Sequence, residues 1–331
     1  MKLRSIFSLT AIAVIGAIAM SAGTAGTAVT KSPVKRADKS SESVQRTPEG
    51  AFDQQKNVVS DIELITTNYG IVGFDVKNNT GASYWPRGSG NQYIFAGGAW
   101  FGARTRPPGT DSLRKRVFLT YNPQTANSWM VPGTIEDGDL LNSTTEEGIN
   151  KFRTYFSTDF SSSDGIDFQN PTFPRWPIWD ASPTEIVRFN NYYGDYVNDV
   201  TKRNRSNFNK GTDFISEEDI FCTYKDTDLN YYEGGITKRK AEGFPLGMQI
   251  EQIIYSWGFG DYADFMFLKY LFIHPEKYGD TLFDCWMAAI QDVDIALQTN
   301  STQGAQNDLA RYYEEDYEFI YGCCSFCSLL I

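Results

Sequence analysis

Residues 245–298, "PLGMQIEQIIYSWGFGDYADFMFLKYLFIHPEKYGDTLFDCWMAAIQDVDIALQ", hold three apolar runs separated by turn chemistry. Gly258-Phe-Gly-Asp261 divides the first two, and His274 to Asp280 divides the last two. Within Phe265–Ile273 both alternating faces are apolar apart from Lys269, which predicts a strand buried on both sides. Three such runs in succession predict an antiparallel meander inside a β-sandwich.

The same rhythm runs outward from Asp61 to Gly322. "IELITTNYGIVGFDV" is followed by "KNNTG", and "NQYIFAGGAWFGA" by "RTRPPGTD". These Asn-, Pro- and Gly-rich breaks are turn signals, so the fold class reads as mainly β, with long irregular loops and a few short helices. The stretch 161–183, "SSSDGIDFQNPTFPRWPIWDASP", sets four prolines around two tryptophans and should carry no regular ladder. "TTEEGINKFRTYF" (144–156), with Asn142 or Thr144 as a cap, reads as short helical turns. A change of character near 210–240 allows two packed sub-domains.

The segment Tyr84–Arg106, "YWPRGSGNQYIFAGGAWFGARTR", places five glycines before two arginines, as a phosphate loop would. No Lys-Ser/Thr follows Gly97-Gly98, so it is not a P-loop. The sequence after the glycines is strand-like rather than helical, so it is not a dinucleotide fingerprint. It reads as a turn at Pro86–Asn91 and a strand from Gln92 to Ala103. Gly97 and Gly98 then mark a bulge or a close approach of another backbone.

Composition narrows the chemistry. Of 331 residues 15% are aromatic, with 19 Tyr and 23 Phe, enough to build a real core. The net charge of -11 argues against a nucleic-acid binder. One histidine, His274, excludes a two-His zinc site and HExxH, and it sits where a strand should end.

The amino terminus has a secretory pattern. Lys2 and Arg4 precede an apolar run from Ile6 to Met20, and small residues follow up to Ala28. The run is shorter than a spanning helix prefers, so residues 1–28 read as a cleaved signal peptide, with no membrane span after cleavage. Residues 29–58 are polar and rich in Lys, Ser and Pro, and read as a disordered linker. The folded, extracellular part is expected over 59–322.

Four stretches together resemble the amino-terminal region of large secreted proteins from the Bacteroidota, Chlorobi and Ignavibacteria lineage. They are "WPRGSGNQYIFAGGAWFGA", "FPRWPIWD", "ISEEDIFCTYKDTD" and "PLGMQIEQIIYSWGFGDYADFMFLKY". Proteins of that kind commonly carry a carboxy-terminal sorting domain for type IX secretion and have mostly unassigned functions. The strand pair "FMFLKYLFIHPEKYGDTLFDCWMAAI" is also similar to hairpins in Ig-like or fibronectin-like bacterial adhesion domains, which implies a meander of that kind over 245–298. The resemblance to the secreted proteins covers most of residues 60–318 and implies export to the outside or outer surface of a Gram-negative cell. It carries no catalytic residues. The chain departs from the pattern at its end, where "FIYGCCSFCSLLI" turns abruptly to Cys, Ser and apolar residues. Residues 323–331 therefore read as a non-native tail of a shortened reading frame.

Three sets of residues are candidate sites. Asp226 and Asp228, Asp292 and Asp294, and Asp308 supply hard oxygen ligands of the kind calcium takes. The plainer reading is solvated acidic loops. Trp176, Trp179, Tyr192 and Tyr193 lie in irregular sequence and would form a platform for a polysaccharide or a cell-surface protein, against a plainer role in the core. Cys222 and Cys285 sit in apolar runs and read as buried thiols, with a disulfide in the oxidising exterior as the alternative. The expected function is a non-catalytic binding or adhesion module of an exported protein. The alternative is a carbohydrate-active enzyme or carbohydrate-binding domain, and no carboxylate pair can be assigned to it.

Overall fold

The computed structural model describes residues 9–16, 51–107, 109–135, 153–156, 216–231, 235–275, 278, 281–295, 309–313, 319–323 and 328–330. In chain order the first strands are β1 (Leu9–Gly16), β2 (Gln54–Lys56), β3 (Glu63–Thr67), β4 (Phe74–Asp75), β5 (Thr80–Gly81) and β6 (Ser83–Tyr84). Next come β7 (Gln92–Ile94), β8 (Ala96–Thr105), β9 (Arg114–Leu119), β10 (Val131–Pro132), β11 (Tyr155–Phe156) and β12 (Glu218–Lys225). A short helix, α1 (Ile236–Glu242), leads to β13 (Gln249–Ser256), β14 (Phe265–Ile273), β15 (Phe283–Asp292), β16 (Leu309–Tyr313), β17 (Phe319–Cys323) and β18 (Ser328–Leu330).

Two antiparallel sheets face each other. The larger runs β10-β12-β13-β14-β1-β18-β17-β16, with β11 also on β12, and the smaller runs β15-β8-β9. Register explains the core. In β12, β13 and β14, residues paired across the ladder share a face, so Ile220, Ile254 and Leu268 line up, as do Tyr224, Ile250 and Phe272. That face is apolar and meets Ala99, Phe101, Ala103 and Phe118 of β8 and β9 in one buried cluster. Burying each large side chain contributes about 1.5–3 kcal/mol. The mainly β, antiparallel sandwich class expected from the sequence is the observed one.

Two of the three predicted runs pair as β13 and β14, over eight residue pairs. The third does not continue the meander. β15 crosses to the other sheet and pairs with β8, and β12 is the neighbour of β13 instead. Period-2 patterning shows which residues lie in strands but not which strand they pair with. Nor is β14 buried on both sides, since Phe265, Phe267, Lys269 and Ile273 are half-buried.

The glycine pair Gly97-Gly98 is a close approach and not a bulge, because the β8–β15 register runs unbroken through it. A Cβ on Gly98 would collide with the Thr120 hydroxyl and stand 3.0 Å from the Gly70 carbonyl oxygen. The Thr120 hydroxyl accepts the Ala99 N–H at 2.7 Å in that space.

The folded part begins earlier than expected. Residues 51–58, read above as the end of a linker, are packed: Asp53 and Asn57 are fully buried, and β2 pairs with β3. Asn57 Oδ1 accepts the Leu64 N–H at 2.8 Å, and Asn68 Oδ1 accepts the Asp53 N–H at 2.8 Å. Short polar side chains here satisfy backbone groups, a role that composition reads as solvation. Likewise Tyr155 and Phe156, expected in a helical turn, are buried and pair with Phe221 and Ile220. The rest of 144–156 up to residue 152 lies outside the described residues.

The centre of the amino-terminal apolar run, Leu9–Gly16, forms β1, antiparallel to β14 over eight pairs. Parts of the carboxy-terminal tail form β17 and β18. No helix among the described residues is long and apolar enough to cross a membrane.

Candidate functional site

The β13–β14 hairpin ends in a cluster of five aromatic rings. Trp257 is its centre, 6.0 Å from Tyr262, 6.3 Å from Phe265 and 5.9 Å from Phe267. Tyr262 stands 5.6 Å from Phe259 and 5.3 Å from Phe265, and Phe265 stands 5.2 Å from Phe267. Tyr262 is 52% exposed and Phe259 44%, far outside the normal place of large rings. Ring pairs at tilted and edge-to-face angles hold one another in place.

Local sequence explains the display. Phe265 and Phe267 alternate with the buried Met266 and Leu268, so both rings leave the same outer face of β14. Gly260 takes φ +55, which starts the 3-10 turn Gly260–Asp264 that lifts Tyr262. Ala263 is buried beneath it, and its carbonyl accepts the Asp61 N–H at 2.9 Å. Glu217 Oε2 accepts the Gly258 N–H at 2.6 Å, and Asp264 Oδ1 accepts the Trp85 indole N–H at 2.8 Å. The loop is tied at both ends, so the rings sit on a fixed base. Asp261, exposed beside Tyr262, is a free-standing acceptor at the edge.

Trp176, Trp179, Tyr192, Tyr193 and Asp308 lie outside the described residues. Asp226 is fully buried and accepts the N–H groups of Leu246 and Met248, each at 2.7 Å. Burial is the larger influence and pushes its pKa up to about 7, against those hydrogen bonds. Asp228 accepts from the backbone and side-chain nitrogens of Asn230. Asp292 accepts the Tyr121 hydroxyl at 2.8 Å, and the Asp294 carbonyl accepts Gln92 Nε2 at 3.4 Å. Burial, then that hydrogen bond to the Asp292 carboxylate, pushes the Tyr121 phenol upward. Among the described residues no three His, Cys, Asp or Glu side chains are grouped to hold a metal.

Cys222 is a buried free thiol, as expected, and Cys285 is free but exposed. β15 is an edge strand and Cys285 lies in its run of exposed residues, which is why the second expectation fails. His274 Nδ1 lies 3.0 Å from the Gly247 carbonyl oxygen and braces the backbone.

Of the five rings only Phe265 and Phe267 fall in the run expected to be buried on both sides, and the turn rings Trp257, Phe259 and Tyr262 carry no expectation. "YSWGFGDYADFMF" carries six aromatic residues in thirteen, at a hairpin turn rather than mid-strand. Aromatics at a turn have no facing sheet to bury against. No family model, no curated protein and no solved structure matches the chain.

Proposed function

We propose that this chain is an exported, non-catalytic binding module that presents the tip of the β13–β14 hairpin to a polysaccharide. The observation that carries the proposal is the exposed pair Phe259 and Tyr262 on a ring cluster braced from beneath. Rings with an apolar face and a nearby acceptor, here Asp261, suit the C–H face and hydroxyls of a sugar. Retention of the chain on insoluble polysaccharides of different backbones tests it. The Phe259→Ala and Tyr262→Ala variants should lose retention while keeping the wild-type melting temperature. Retention equal to wild type in both variants, or none by the wild type, overturns the proposal.

Export rests on the charged, apolar and small-residue order of the amino terminus and on the resemblance to type IX cargo. A cleaved leader would take β1 out of the sheet, so amino-terminal sequencing of the protein recovered outside the cell decides between the two roles of that segment. A mature chain that starts near residue 29 supports export with cleavage. A chain that keeps Leu9–Gly16 assigns the segment to the fold.

A further inference from the structure

At the opposite end of β13 the structure holds a cavity of about 240 Å³. Phe244, Pro245, Leu246, Tyr278 and Leu282 form apolar walls, and Thr105 and Arg106 form the polar side. The walls are preset. Phe244 packs edge-on against Trp129 at 5.8 Å, and Arg239 covers that indole at 4.4 Å. The Tyr278 ring lies so close to Gly247 that a Cβ there would stand 2.7 Å from ring carbon Cδ1. The Pro275 carbonyl accepts the Tyr278 N–H at 3.1 Å and fixes the turn that carries the ring.

The surroundings are basic in an acidic protein. Between residues 104 and 116 stand Arg104, Arg106, Arg114, Lys115 and Arg116, with Asp111 as the one carboxylate among them. Register brings Arg114 opposite Thr105 and Arg116 opposite Ala103, so these cations gather at one end of β8 and β9. Arg104 is paired with Asp284 at 2.6 Å. Among the described residues Arg106 has no ion-pair partner, and its guanidinium rests over the Phe283 ring at 4.9 Å. Arg116 donates one N–H to the Lys115 carbonyl at 2.8 Å, while its Nε–H is buried with no acceptor. That Nε stands 3.4 Å from where a Cβ on Gly243, in the cavity wall, would lie. Burial and then the charge of Arg114 press the Arg116 pKa downward, against the opposing charge of Glu242.

We infer that this cavity is an anion site that takes one acidic sugar unit, a uronate, from a polysaccharide chain. The planar guanidinium fork matches a carboxylate. The aromatic and aliphatic walls match the C–H face of a sugar ring, which a bare phosphate or sulfate would leave unused. Pockets for drug-sized ligands run at about 300–1,000 Å³, so this smaller space admits a single ring. The exposed Arg114 and Lys115 continue the positive field for neighbouring units. The inference stands without the hairpin proposal and concerns a different surface.

Titration calorimetry of the whole chain with trigalacturonate at low salt tests it, with maltotriose as the neutral control. Trigalacturonate should bind, more weakly as salt rises, and maltotriose should not bind at the cavity. Arg106→Gln should weaken binding about tenfold, Arg106→Lys should recover part of it, and Leu282→Trp should fill the cavity and block binding. The inference is overturned if trigalacturonate fails to bind at millimolar concentration, or if Arg106→Gln and Leu282→Trp both bind as the wild type does. It is also overturned if inorganic sulfate binds as tightly as the sugar acid.

Discussion

Phe101 of the smaller sheet stacks on Phe272 of the larger, with centroids 5.5 Å apart and planes 29° apart. Both rings are buried, and Phe101 also stacks on Phe118 at 5.5 Å. This contact joins the two layers. Phe272→Ala should therefore cost about 3–5 kcal/mol, because the cavity it leaves is walled by two rigid sheets. Chemical denaturation of the variant measures the loss. A change below about 1 kcal/mol would mean that the sheets do not pack through this pair.

Gly98 and Gly102 lie on the same strand and give opposite expectations. Gly98→Ala drives a methyl group into the Thr120 hydroxyl and the Gly70 carbonyl, so it should destabilise by roughly 1–3 kcal/mol through overpacking. At Gly102 the nearest atoms to an added Cβ are 3.6 Å away, in ordinary contact, so Gly102→Ala should be close to neutral. Comparing the two melting temperatures checks the register of β8 against β9 and β15.

Asp226 makes the fold sensitive to pH in a direction opposite to most carboxylates. Its pKa is raised in the folded state to about 7, above an ordinary value near 3.9. The folded chain thus holds a proton that the unfolded chain gives up between those values. The stabilisation is complete below about pH 4 and is lost as pH rises through about 7, at no more than about 1.4 kcal/mol per unit. Asp226→Asn should remove that slope. It should also cost about 1–3 kcal/mol, since an amide nitrogen would face the N–H of Leu246 or Met248. Unfolding curves of both proteins at pH 4.5 and 7.5 separate the two effects.

The exposed ion pair between Arg104 and Asp284 should matter little to stability. Both side chains are well exposed, at 39% and 52%, and such pairs contribute about 0–1 kcal/mol. Asp284→Asn should therefore leave the melting temperature within a degree or two. It should tighten trigalacturonate binding if the cavity is an anion site, because it frees a cation at the same end of the sandwich.

Much of the fold was legible because strands advertise themselves by alternation. Ile250, Ile254, Leu268 and Phe272 fall on one face by period alone, and the turns at Pro86–Asn91 and Gly258–Asp261 are written in Gly, Pro and Asp. Pairing was not legible. Nothing in "FDCWMAAIQD" says that it will leave its predecessor and lie along Ala96–Arg104, since that choice depends on two faces that the chain builds over 180 residues away. Buried polar residues were hidden for a related reason. Asp53, Asn57 and Asp226 look like solvated positions until the N–H groups they accept, from Thr154, Leu64 and Met248, are in place. The ring cluster misled because an apolar alternation predicts a strand equally well whether both of its faces are covered or only one.

β13 is buried at all eight of its positions and is laddered on one side to β12 and on the other to β14 along its whole length. Such a strand is a strut. Its span of roughly 26 Å, at about 3.3 Å per residue, cannot stretch or bend without opening two ladders at once. The aromatic tip follows its last residue and the basic cavity precedes its first, so their separation is a fixed ruler within the molecule. An oligosaccharide long enough to span the strut would engage both surfaces at high effective concentration, while a shorter one would have to choose between them.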